Sequence, residues 1–111
     1  MHYDCWVVHK KPLPDDNGEA EGFIYGLLEE WYNDTWDWFQ IGGRFCGSIP
    51  NNSVPITELP DDAPTPRALV VNGVWREMDE GMSDEEWADH VRGILAGLPE
   101  HWRVTCVDCH V

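Results

Sequence analysis

The densest chemistry in the chain sits at its C-terminal end. Cys106, Val107, Asp108, Cys109 and His110 spell C-x-x-C-H, the spacing that attaches c-type haem through two thiols and an axial imidazole. Thiolate and imidazole are also natural zinc ligands, and a structural zinc site takes four. The segment is predicted to be a strand. Alternation then sends Cys106, Asp108 and His110 to one face and Cys109 to the other. One flat strand cannot offer both thiols to one ion. Zinc on Cys106, Cys109 and His110 would need a turn there, or donors from a neighbouring strand such as Cys5, His9 or His2. The competing reading makes Cys5 and Cys109 small core residues, and the expectation is no cofactor. Asp108 and His110 share a face and have the chemistry of a base and its orienter. No nucleophile or oxyanion loop accompanies them, so a non-enzymatic protein is expected.

The second concentration is "WDWFQIGGRFCG", Trp36 to Gly47. Trp36, Trp38 and Phe39 crowd into four positions, two glycines follow, and then comes Arg44, a rare cation in this chain. "IGGR" is far from the G-x-x-x-x-G-K-S/T phosphate loop and carries little weight on its own. The structural reading packs one ring set under a helix and lets the glycines bend the chain, so that Arg44 returns to Asp37 or Asp34. The functional reading makes Trp36, Trp38 and Arg44 part of an exposed groove for a ligand or partner.

Charge bounds the partners. The chain has 21 acidic and 7 basic residues, a net charge of -14. Such a molecule is repelled by nucleic-acid phosphates and by anionic membranes. The carboxylates cluster as Asp15, Asp16, Glu19 and Glu21, and again as Glu77, Asp79, Glu80, Asp84, Glu85, Glu86 and Asp89. Rows of carboxylates on a rigid surface imitate a phosphate backbone. The expected partner is therefore a protein with a basic, nucleic-acid-binding surface, with no direct contact to nucleic acid or membrane. The plainer alternative is that the acidity serves solubility. No apolar run is long enough to span a bilayer and no signal-peptide pattern opens the chain, so the cytoplasm is the expected compartment.

These residues need elements to position them, and 111 residues suffice for one domain. A first strand is predicted over His2 to Lys10, with apolar groups on both faces. A helix follows over about Glu19 to Tyr32, with Phe23, Ile24, Leu27, Leu28 and Trp31 at helical spacing. Trp36 to Gln40 is predicted as a strand, interrupted at Gly42-Gly43 and resumed over Arg44 to Ile49. A proline-rich loop occupies residues 50–66. Ala68 to Val71 and Val74 to Met78 flank Asn72-Gly73, a hairpin signal. Ser83 with Glu86 makes a capping box for a second helix that ends at Pro99. The last strand is predicted from Trp102 to His110. The order matches a ferredoxin-like α+β sandwich, βαββαβ, with two helices on one face of an antiparallel sheet and the first and last strands adjacent.

Three pieces taken together, "HYDCWVV", "WDWFQIGGRFCG" and "VTCVDCHV", resemble an uncharacterised group of small bacteriophage and bacterial proteins. That group has a W-D-W-Y-x-I-G-G-R-W-like centre and a V-D-C-H-like end. Phe39 and Phe45 stand where that pattern has Tyr and Trp. The resemblance implies a phage-linked setting and transfers no catalytic residue. With the charge, it makes an inhibitor of a host defence complex, of CRISPR type, the expected function. A module that binds a small molecule or a metal is the alternative.

Overall fold

The strand His2–His9, β1, is apolar on both sides, and this decides the architecture. The computed structural model describes residues 1–111. Beyond β1 it contains α1 (Asn17–Leu28), β2 (Trp38–Ile41), β3 (Ser53–Pro55), β4 (Ala68–Val71), β5 (Val74–Glu77), α2 (Asp84–Ala96) and β6 (Arg103–His110). The sheet order is β2-β6-β1-β4-β5, and β3 joins the same edge of β6 as β2, further along. β1 and β6 lie antiparallel at the centre, in register from His2 opposite His110 to His9 opposite Arg103.

Each face of β1 has its own helix. Trp6 and Val8 pack with Leu69, Val104 and Cys106 against Trp87, Val91 and Leu95 of α2. Tyr3, Cys5 and Val7 pack with Ala68, Val70, Val107 and Cys109 against Ile24 and Leu28 of α1. The helices therefore cover opposite faces of one mixed sheet. A central strand that is apolar on both sides leaves water on neither, so the two helices divide between the faces. The α+β class and the adjacency of first and last strands hold. The expectation of two helices on one face does not. The strand order also departs from the ferredoxin-like pattern, because β1 and β4 run parallel.

Local expectations fare variously. Asp16 caps α1 by accepting the Glu19 amide at 3.0 Å, so the helix starts earlier than predicted; its last turn tightens into a 3-10 turn over Glu29–Trp31. Ser83 caps α2 as expected, accepting the Glu86 amide at 3.1 Å. Asn72-Gly73 turns β4 into β5 with both residues at positive φ. The second half of the glycine-interrupted strand is absent. Gly42 and Gly43 take φ of 74° and 48°, and a 3-10 turn over Gly43–Phe45 replaces it. The proline-rich stretch is ordered: it supplies β3 and buries Val54 and Ala63 under α2.

No helix is long and apolar enough to cross a membrane.

Candidate functional site

Strand register builds the site. On the α2 face, at the end where β1 begins, Trp38, His110 and His2 stand abreast on β2, β6 and β1. The next row inward is Gln40, Asp108 and Asp4. Behind it lie the buried Cys106 and Trp6, where the apolar core starts. The two stretches singled out by composition, Trp36–Gly47 and Cys106–His110, are thus neighbouring parts of one surface.

Asp108 is the hub, only 1% exposed. His2 Nδ1–H donates to its Oδ1 at 2.8 Å, and the Arg44 backbone N–H donates to its Oδ2 at 3.0 Å. The two glycines make the second contact possible. A Cβ on Gly43 would meet Asp108 Cβ and Oδ2 at 2.5 Å, and one on Gly42 would meet Asn52 Nδ2 at 2.7 Å. Their positive φ folds the loop down onto the carboxylate, where a side chain has no room. Arg44 thus reaches a carboxylate through its amide, and it is Asp108. The expected side-chain pairing of Arg44 with Asp37 or Asp34 is not formed.

Asp37 serves a histidine instead: His110 Nδ1–H donates to Asp37 Oδ1 at 2.7 Å. The predicted pairing of Asp108 with His110 is therefore exchanged, with His2 on Asp108 and Asp37 on His110. Each imidazole is oriented by a carboxylate at Nδ1, which leaves Nε2 as the outward-acting nitrogen. The two rings meet edge to face at 5.0 Å, and Trp38 contacts His2 in the same manner at 5.8 Å.

The floor beneath is acidic and dry. Burial pushes the Asp4 carboxyl up to about 6; the Cys106 thiol, donating to Asp4 Oδ1 at 3.4 Å, offsets part of this, and the Asp108 charge adds to it. Burial and the neighbouring Asp4 push the Cys106 thiol well above its ordinary range. Burial and the adjacent Cys109 do the same to Cys5. Thiols held in this way stay protonated and are poor ligands and nucleophiles. Cys106 and Cys109 also point to opposite faces, into different cores. No group of three or more His, Cys, Asp and Glu side chains is arranged to hold a metal ion. The zinc set Cys106, Cys109 and His110 is not assembled.

Above this floor runs an open groove of about 440 Å³, lined by His2, Trp38, Gln40, Arg44, Cys46 and Asp108, among others. Trp38 and Arg44 are exposed beside it, whereas Trp36 is buried on the α1 side of the motif. The Trp36 Nε1–H donates to the Leu28 carbonyl at 2.9 Å, and its ring packs edge to face on Phe39 and Tyr32. The motif therefore divides between the structural and functional readings: Trp36 ties α1 to the sheet edge, and Trp38 and Arg44 face the groove. Gln40 and Cys46 were not singled out from the sequence as part of this site, and His2 was named only as a possible zinc donor from the neighbouring strand. The signal for His2 was available, since adjacency of β1 and β6 with strict alternation puts it across from His110.

A larger recess of about 610 Å³ lies on the α1 face, between the start of α1 and β3. Its arginine, Arg103, is committed to Ser53, donating from Nη2 to the backbone carbonyl at 3.0 Å. No aromatic ring lines it.

The eleven clustered carboxylates are all exposed, but they do not form one surface. α1 begins past the C-terminal end of β1. α2 begins past β5, which ends beside the start of β1. Asp15, Asp16, Glu19 and Glu21 therefore lie across the sheet, and at its other end, from Asp79, Glu80, Asp84, Glu85, Glu86 and Asp89; Glu77, opposite Ala68 in the register, points to the α1 face, where its Oε1 accepts from Trp75 Nε1 at 3.0 Å. None of them is paired with a cation; the close contacts between basic and acidic side chains are the two histidine–carboxylate hydrogen bonds, His2–Asp108 and His110–Asp37.

Comparison of the chain with protein-family models, with curated proteins and with solved structures finds no match.

Proposed function

We propose that the protein is a binding module whose ligand, a small molecule, occupies the groove over Asp108. One observation carries this reading: the Trp36–Gly47 loop and the Cys106–His110 strand meet there. Buried Asp108 fixes the frame through His2 and the Arg44 amide, and the exposed Trp38 and Arg44 side chains are left for a ligand. A few placed polar groups beside an aromatic ring are the usual make-up of a ligand site. The test is equilibrium dialysis of the protein against the low-molecular-weight fraction of a bacterial lysate, read by mass spectrometry. A compound retained by the wild type and lost with Trp38→Ala and with Arg44→Ala is expected. Retention of the same compounds by both variants would contradict the groove.

A second reading is favoured by the unpaired state of the α2 carboxylates. Asp79, Glu80, Asp84, Glu85, Glu86 and Asp89, at and just before the start of α2, present six charges with no internal counter-ion, a surface suited to a basic protein, with Glu77 turned to the other face. In that reading the protein is phage-encoded and acts in the host cytoplasm. It occupies the nucleic-acid-binding surface of a defence complex of CRISPR type. Asp15, Asp16, Glu19 and Glu21 lie too far round the molecule to share that interface. Reversing the charge of Glu80, Glu85 and Glu86 should abolish capture of such a complex without unfolding the protein; unchanged capture would rule this reading out.

A further inference from the structure

Resting on the groove reading, we infer that the ligand is a small nucleotide: a planar base carrying at least one phosphate, and not a nucleic-acid polymer. Trp38 supplies the stacking surface. It is 44% exposed, and its single edge-to-face ring contact, with His2, covers at most one side of the indole. A base can stack on such a ring, and the stacking tolerates any base.

Arg44 supplies the anion contact. Its backbone is pinned by Asp108, so the position of the residue is fixed, yet its exposed guanidinium joins no ion pair. No lysine or arginine of the molecule is paired with a carboxylate, so what marks Arg44 is its place: on a fixed backbone it lines the same groove as the exposed Trp38, where an incoming anion can reach it. The planar guanidinium fork matches phosphate oxygens two at a time. Gln40, exposed between them on the same face, offers both a donor and an acceptor for a base edge. His2, held at Nδ1 by Asp108, also lines the groove and keeps Nε2 free for a ligand.

Size and charge select within nucleotides. A groove of about 440 Å³ holds one nucleotide unit. A polymer would bring many phosphates against a molecule of net charge -14, whereas a mononucleotide brings about two charges to a groove whose one arginine is Arg44 and whose one carboxylate, Asp108, is already held by His2 and the Arg44 amide. A neutral sugar would also stack on Trp38 but would leave Arg44 without its counter-charge.

The test is calorimetric titration of the intact protein, at low salt, with AMP, GMP, adenosine, inorganic phosphate and glucose. A nucleotide should bind and weaken as salt is added. Adenosine should bind roughly tenfold or more weakly than AMP, and Arg44→Ala should lose a similar factor, as expected for a charge-assisted hydrogen bond. Trp38→Ala should lose roughly ten- to a hundredfold. Both residues are exposed, so thermal unfolding of each variant should match the wild type. Adenosine binding as tightly as AMP, or glucose binding in place of either, would overturn the nucleotide assignment. So would a lysate compound of another class retained through Trp38, and that result would leave the groove reading standing. Failure of every probe together with an empty dialysis would remove both.

Discussion

Trp36 and Trp38 stand two residues apart and do opposite work. Trp36 is buried and holds the Leu28 carbonyl, so Trp36→Ala should cost about 3–5 kcal/mol of stability, in the range for a large core aromatic. Trp38→Ala should cost less than about 1 kcal/mol, since its ring is nearly half exposed. Urea unfolding of the two variants checks this; equal losses would contradict the division of the motif. Asp4 gives a second residue-scale prediction, with a definite sign. Its buried carboxyl keeps its proton up to about pH 6, while in the unfolded chain it ionises near 3.8. Between those values the native state binds more protons, so this group's contribution falls as pH rises, and levels off above pH 6. Asp4→Asn, which keeps an acceptor for the Cys106 thiol, should raise stability at pH 7 by up to about 3 kcal/mol and by little at pH 4. His9 acts the other way: burial lowers its pKa, so its contribution is lost as pH falls below about 6.5. That loss is common to both proteins, so their difference isolates Asp4. A pH-independent difference would contradict the assignment.

At the scale of elements, the glycine pair between β2 and the Arg44 turn is the most constrained connection. Gly43→Ala combines a φ of 48° with a Cβ pressed to 2.5 Å from Asp108. It should cost about 2 kcal/mol or more and loosen the His2–Asp108 pair. A thermal melt, with the His2 imidazole signals followed by NMR, reads both effects; an unchanged melt would contradict the close approach. Much of this level was legible in the sequence. Ser83 and Glu86 announced α2, Asn72-Gly73 the hairpin, and alternation in "CVDCH" separated the thiols correctly. Two things were not legible. Apolar groups on both faces of β1 signalled an interior strand, but which helix takes which face depends on strand order, and strand order follows from pairings between distant segments. The second donor to Asp108 was hidden for a different reason: His2, 106 positions away, is brought near by the adjacency of β1 and β6, but the Arg44 donor is a main-chain amide, which residue type does not reveal.

For the molecule as a whole, charge and shape give different messages. The net charge of -14 suggested a continuous acidic surface, but the three-layer arrangement puts the two clusters on opposite sides and at opposite ends. What the charge does everywhere is repel itself. With no lysine or arginine paired to a carboxylate, that repulsion is uncompensated, and added salt should relieve it. Raising sodium chloride from about 20 mM to about 500 mM should lift the melting temperature by roughly 3–5 °C. A melting temperature that stays level or falls would show that the surface charge is not a destabilising load.

The segment 36–47, with β2 inside it, and the strand 103–110 form one ligand site in this reading. Two-dimensional NMR of the labelled protein, titrated with the low-molecular-weight fraction of a bacterial lysate, tests it most directly. Shifts are expected at His2, the Trp38–Cys46 segment and the Asp108–His110 end of β6 alone, and are expected to vanish in Trp38→Ala. Shifts gathered instead in the recess beside α1, or along Glu77–Asp89, would contradict it.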